Sequence, residues 1–174
     1  MSKTAGTTSV LELLHEGIDA IQREAQYLDE ERWDDWLAMY APDCEYWVPA
    51  RRADGSLTAD PQSEVSHIYY SSRAGLEDRV VRIRSGRSPA SVPMPRPCHV
   101  LGSIRAIEPP SPDRLRMRSS WACHVFFPRL KESHAYFGSS EFELKSVGGR
   151  WLIARRNSVL QNDYIPTMLD IYCI

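Results

Sequence analysis

Four long stretches, "CHVLGSIRAIE", "RLRMRSSWACHVFFPR", "HAYFGSSEFELKSV" and "RWLIARRNSVLQND", alternate apolar and polar residues, and turns such as "PPSPD" and "VGG" join them. Alternation with a period of two sends successive side chains to opposite faces, so each stretch reads as a strand. Turns this short permit only antiparallel neighbours, because a parallel return needs a crossover of about a dozen residues or more. The second half of the chain is therefore predicted to be a four-stranded antiparallel meander. Just before it, "SPASVPMPRP" is excluded from regular structure, since its prolines lack amide donors and restrict their neighbours.

The first half has a helical period. In "TSVLELLHEGIDAIQREAQYLDE", Leu11, Leu14, Ile18, Ile21, Ala25 and Leu28 recur on one face, with Glu16, Asp19, Arg23 and Glu30 opposite. Ser9 followed by Glu12 reads as a capping box. "RWDDWLAMYAPD" is predicted as a second, short helix with Trp33, Trp36, Leu37 and Tyr40 on its apolar face, ended by Pro42. "CEYWVPARR" reads as a strand and "ADGSLTADPQ" as a turn-rich loop. "SRAGLEDRVVRIRSGR" is a third helix with a narrow Leu76, Val80, Ile83 stripe and an Asp78–Arg82 pair at i,i+4. Helices first and strands later imply an α+β fold, the sheet wrapped over the long helix. Residues 1–8 are expected to form a flexible tail ahead of one domain, 9–174.

"RPCHVLG" and "WACHVFF" repeat a Cys-His-Val triplet and raise the prospect of a metal site. Strand alternation argues against it. Ser119, Trp121, Cys123, Val125 and Phe127 share the more apolar face, which sends Cys123 inward and His124 outward. The same count places Cys98, Val100, Ile104 and Ala106 inward, and His99, Ser103 and Arg105 outward. Within each copy the two ligand types diverge. Neither the paired knuckles of a structural zinc site nor the Cys pair and His pair of a Rieske cluster is present. The outward face still holds Leu101, Ile107, Ala122 and Phe126, more apolar surface than solvent alone would favour, which predicts burial against another chain.

Several classes are disfavoured by composition. A net charge of -2 gives no footprint for nucleic acid or an anionic membrane. No apolar run reaches the roughly 20 residues of a membrane span, and "MSKTAGTTSV" lacks an apolar signal core, so a cytoplasmic location is expected. The four cysteines are then expected as free thiols. No phosphate loop or nucleophile elbow appears. What remains for chemistry is an acid–base pocket built from His67, Tyr69 and Asp43 between helix and sheet, as in a stand-alone isomerase or dehydratase.

"EAQYLDEERWDDWLAMYAPDCEYWVPA", "GLEDRVVRIRSGRS", "PRPCHVLGSIRAIE" and "RWLIARRNSVLQND", in that order, resemble the small (β) subunit of aromatic ring-hydroxylating dioxygenases. "DPQSEVSHIYYSSRAGLEDRV" and the terminal "DIYCI" point to the benzoate, toluate and anthranilate branch. The resemblance spans essentially the whole chain. It implies a cystatin-like, NTF2-like cone: a long helix and shorter ones held in a strongly curved, mixed but largely antiparallel sheet. It implies a non-catalytic structural subunit without catalytic, cofactor or metal residues. The partner large (α) subunit is expected to carry the Rieske [2Fe–2S] cluster and a mononuclear Fe(II), with NADH electrons arriving through a reductase. Self-association as a trimer within α3β3 is implied as well. Trp33, Trp36, Tyr40, Trp47, Trp121 and Trp151 are expected to anchor core or interface. Arg73, Arg79, Arg82 and Arg84, with His99, His124 and Trp47, are the expected inter-subunit contacts.

Overall fold

The computed structural model describes residues 9–86, 91–166 and 168–174; the expected tail, 1–8, lies outside them. The first helix, α1 (Val10–Asp29), starts on the expected capping box. Ser9 Oγ accepts from the Glu12 amide at 3.2 Å, and a Glu12 carboxylate oxygen accepts from the Ser9 amide at 2.6 Å. Such a cap contributes about 1 kcal/mol. The buried face is Leu13, Gly17, Ala20, Ile21, Glu24, Ala25 and Leu28. Leu11, expected on the apolar stripe, is exposed, because the core-facing stripe begins one residue off that count.

The second helix, α2 (Trp33–Ala38), stops sooner than Pro42 suggests. Tyr40 and Pro42 already belong to strand β1 (Tyr40–Pro49). The proline sits in a strand where the sequence implied a helix stop. Strand β2 (Ser66–Tyr70), to which no element was assigned from sequence, pairs antiparallel with β1. Helix α3 (Arg73–Arg84) buries Leu76, Val80 and Ile83 as expected. Its i,i+4 ion pair is Arg73–Glu77, not Asp78–Arg82.

The meander forms as expected: β3 (Arg96–Ala106), β4 (Arg114–Phe127), β5 (Glu132–Val147) and β6 (Arg150–Leu160). The order across the six-stranded sheet is β2-β1-β6-β5-β4-β3, with β1 and β6 parallel and every other pair antiparallel. The chain thus crosses from β2 by way of α3 to the far edge and walks back to β1. α1 packs on one face of the curved sheet, closest where Gly17 meets Leu115 and Met117. A Cβ added at position 17 would lie 3.1 Å from Leu115 Cδ1 and 3.3 Å from the Met117 thioether end, so those side chains would have to shift slightly to admit it.

Two bulges shift the parity of the strands. Pairing of β3 with β4 shifts between Gly102 and Arg105, where Ser103 adopts φ 51°. Pairing of β5 with β6 shifts between Glu143 and Leu144. An extra residue in one strand moves every later side chain to the other face. Strands β5 and β6 also approach closely at Gly138, where an added Cβ would collide with the Val159 carbonyl and lie 3.2 Å from the Trp121 ring. Gly138→Ala is therefore expected to destabilise the fold by about 1–3 kcal/mol through forced backbone displacement. Denaturant midpoints of the two proteins check this, and an unchanged midpoint would contradict it.

Candidate functional site

On the inner side of the cone, α1, α2, β1 and β6 converge on two buried charges. Glu24 falls on the buried stripe of α1, where spacing alone would ask for an apolar residue. One of its carboxylate oxygens accepts from Trp36 Nε1 at 2.7 Å, the Tyr40 hydroxyl at 2.8 Å and Arg156 Nη1 at 2.6 Å. Arg156 gives its remaining donors to Ser158 Oγ at 3.1 Å and the Ile174 main-chain oxygen at 2.8 Å. Ser158 in turn meets Ser140 Oγ at 2.7 Å. The guanidinium lies 5.2 Å from the Tyr46 ring centre and 5.3 Å from that of Phe142, within cation–π range.

Burial works against the Arg156 charge, but Glu24, then Tyr46 and Tyr40, more than offset it, and its pKa rises. Burial first, then Glu24, pushes the Tyr40 hydroxyl well above the usual phenol range. Arg156 therefore stays charged and the Tyr40 phenol neutral. With three donors on one oxygen, Glu24 is already satisfied and shielded from solvent.

The last residues complete this interior. Asp170 accepts from the Ile171 amide at 2.8 Å, opening a short 3₁₀ turn, Ile171–Cys173, and it pairs with Arg79 of α3. Ile171, Tyr172, Cys173 and Ile174 are all buried, and Cys123 Sγ lies 3.7 Å from the Tyr172 carbonyl. The chain's own end thus fills space on the inner side of the sheet.

The acid–base trio does not converge. His67 and Tyr69 line a cleft of about 240 Å³ with Arg79 and Asp170. Partial desolvation lowers the His67 pKa, and the Tyr69 hydroxyl is held by Gln62 Nε2 at 2.8 Å. Asp43 stands apart at the exposed face of β1, where Lys145 at 2.6 Å holds its carboxyl below the usual range.

The repeated triplet divides differently from the alternation count. Cross-strand pairs set Cys98 opposite His124 and His99 opposite Cys123. Cys123 is buried and His124 exposed, as expected. The other copy is inverted: Cys98 is exposed, while only 2% of the His99 side chain is. The cause is the bulge at Ser103. Ile104 and Ala106 do face inward, but before the bulge that parity belongs to His99 and Leu101. His99 Nδ1 lies 2.6 Å from Asp29, whose other oxygen accepts the His99 amide at 2.9 Å. Leu101 leaves the expected outer face, and Val100, expected inside, is exposed. Among the described residues no group of three or more His, Cys, Asp and Glu side chains is placed to hold a metal ion. A Rieske or mononuclear iron ligand set therefore does not fit these residues.

Of the expected contact residues, Trp47 is buried at 6% exposure, its Nε1 donating to Ser66 Oγ at 2.8 Å. Trp33, Trp36, Tyr40 and Trp121 are core; Trp151 is half-buried and donates to Glu16 at 2.6 Å. Arg73 joins Glu77 and the Tyr40 carbonyl, and Arg84 joins Asp34. Arg82 and His124 are exposed. Sequence reasoning missed Glu24, Arg156, Asp29 and Asp170. Only Glu24 left a signal, a charge in register with Ile21, Ala25 and Leu28.

All four cysteines are free. Burial pushes the Cys44 thiol up to about 11 and the Cys123 thiol to about 12, so at pH 8 almost none of either is thiolate. Both are expected to resist a thiol reagent at pH 8 until the chain unfolds, while Cys98 reacts in the folded, unassembled subunit. Mass mapping of the modified peptides checks this; early labelling of Cys44 or Cys123 would contradict it.

The comparisons with known proteins accord with this arrangement. The family described as "Ring hydroxylating beta subunit" matches residues 23–167. The chain is 41% identical to the toluate 1,2-dioxygenase subunit beta of Pseudomonas putida, covering 88% of this chain and 93% of that one. It is 42% identical to the benzoate 1,2-dioxygenase subunit beta of Acinetobacter baylyi, covering 87% and 88%. The crystal structure of the benzoate 1,2-dioxygenase beta subunit from Burkholderia mallei superposes with a TM-score of 0.75 at 31% identity, covering 97% and 99%. The α+β, cystatin-like fold stands as the resemblance implied. The family model and these relatives agree: the chain belongs to the ring-hydroxylating β-subunit family, small components of aromatic ring-hydroxylating dioxygenases that work with a large oxygenase subunit.

Proposed function

We propose that this chain is the non-catalytic, structural small subunit of a cytoplasmic dioxygenase that dihydroxylates an aromatic acid such as benzoate. In this reading the large subunit carries the Rieske [2Fe–2S] cluster and the mononuclear Fe(II). NADH supplies electrons through a reductase, and three small subunits associate within an α3β3 assembly. The aromatic-acid substrate follows the names of the toluate and benzoate relatives. The observation that carries the structural role is the interior itself. Where a stand-alone isomerase or dehydratase needs an accessible acid–base pocket, Glu24 and Arg156 are buried and paired with each other, Arg156 also holds the Ile174 main-chain oxygen, and residues 170–174 are themselves buried. No helix among the described residues is long and apolar enough to cross a membrane.

Co-expression with a large subunit of this family, followed by sizing and a ring-hydroxylation assay with benzoate, tests the proposal. The expected result is co-purification, with turnover only when the large subunit and a reductase are present. Turnover of an aromatic substrate by the small subunit alone would overturn it.

A further inference from the structure

Asp29, the last residue of α1, holds His99 twice. One carboxylate oxygen accepts the His99 amide at 2.9 Å, and the other lies 2.6 Å from Nδ1. An ionised carboxylate only accepts, so the neutral imidazole carries its proton on Nδ1 and presents a lone pair at Nε2. That second nitrogen is buried and has no hydrogen-bond partner among the described residues. Tying α1 to β3 needs the amide and Nδ1. It gives no reason to bury a bare acceptor, which costs about 1–3 kcal/mol. An aspartate that orients one imidazole nitrogen and leaves the other free to accept is the arrangement of an acid–base dyad.

The end of the chain lies over this dyad. β3 is the edge strand, and the His99 amide turns to Asp29, away from β4. His99 and Cys123 therefore form a non-hydrogen-bonded cross-strand pair, the kind in which side chains stand closest. Cys123 Sγ lies 3.7 Å from the Tyr172 carbonyl, and Ser91 Oγ lies 3.4 Å from the Tyr172 hydroxyl. The turn at residues 171–173 thus packs on the inner row Tyr136–Cys123–His99. It is fastened by the Arg79–Asp170 pair and by Arg156 on the Ile174 oxygen. One step along the strands, Trp121 and Leu101 stand opposite each other, both packed in the core.

We infer that Asp29 and His99 form a latent acid–base site closed by the C-terminal turn. Displacing the turn admits a small phenolic molecule, whose hydroxyl donates to His99 Nε2 and whose ring lies against Trp121 and Leu101. A single buried acceptor among apolar and aromatic neighbours matches a hydroxyl on an aromatic ring, not a carboxylate. The inference goes beyond the structural role and does not depend on how the subunits assemble.

Phenol is the probe, added to the isotope-labelled full-length small subunit, with the His99 ring nitrogens followed by NMR. In the wild type, phenol is expected to leave the Nε2 signal unmoved. In Asp170→Ala, which loosens the turn, and in Tyr172→Ala, which keeps the Arg79–Asp170 pair, phenol is expected to shift that signal and saturate it. Adding His99→Phe to either opened variant should weaken phenol binding at least tenfold by calorimetry. Asp29→Asn should weaken it as strongly, because Asn keeps its oxygen on the His99 amide and turns its NH₂ to Nδ1, which moves the ring proton to Nε2. The nitrogen signals report that exchange directly, a change that a purely structural clasp would not couple to phenol. Circular dichroism checks the fold of each variant, and either opened variant alone suffices for the test. Phenol binding that is equally tight with His99→Phe would show a plain apolar cavity and overturn the inference. Folded, opened variants that bind no phenol would overturn it too, as would a wild-type His99 that already responds, since the turn would then close nothing.

Discussion

Arg156→Met is expected to cost the subunit about 3–5 kcal/mol of folding stability, the range for removing one partner of a buried ion pair. The guanidinium is nearly inaccessible and holds the Glu24 carboxylate, Ser158 and the Ile174 main-chain oxygen together. Without it, Glu24 keeps its bonds from Trp36 and Tyr40 but loses its counter-charge, and an unpaired buried carboxylate must either stay charged at high cost or take up a proton. For a chain of this size the loss corresponds to a fall of roughly 6–20 °C in melting temperature. Thermal unfolding at a fixed chain concentration measures it. Adding Glu24→Leu to Arg156→Met should recover part of the loss, since no charge then remains buried. A single variant as stable as wild type would show that the pair contributes nothing, and a double variant worse than either single one would contradict the charge argument.

The second large effect is expected at Asp170→Ala. This carboxylate is almost wholly buried, takes the Arg79 guanidinium and caps the turn that carries Ile171, Tyr172 and Cys173 inward. Removing it strands Arg79 at the cleft and frees the Ile171 amide, for a combined cost of about 3–4 kcal/mol. The consequence should be local first. Amides of residues 171–174 are expected to exchange with solvent much faster, and the Cys123 and Cys173 thiols to become reactive before global unfolding. Hydrogen exchange and thiol labelling on the same sample distinguish this from uniform destabilisation, in which every strand would loosen together. If exchange in this segment stays at the wild-type rate, the Arg79–Asp170 pair is not what keeps it in place.

The arginines of α3 show how far residue type alone reaches. Arg73, Arg79, Arg82 and Arg84 look alike in sequence, and each was a candidate for contact with another subunit. In the fold Arg79 holds the C-terminal segment, Arg84 reaches Asp34 near α2, Arg73 pairs along its own helix and Arg82 faces outward. Arg79 and Arg84 depend on residues 91 and 50 positions away, and Arg73 also reaches the Tyr40 carbonyl 33 positions away. No local pattern encodes such a partner. The same holds for Asp29, which fixes His99 from the end of α1.

What the sequence determined by itself is the part governed by period and local chemistry. The capping box at Ser9 and Glu12, the Leu76–Val80–Ile83 stripe, the four-stranded meander and the inward turn of Cys123 follow from backbone geometry over a few residues. The tertiary structure decided everything that rests on a break in that period or on distant partners. A single extra residue at Ser103 reversed Cys98 and His99, and Tyr40 left its predicted helix for a strand beside β6. Burial brought Glu24 and Arg156 together across 132 positions of chain. A buried charge is tolerated only where the rest of the fold supplies its counter-charge and donors, and that condition is met in space, not in sequence.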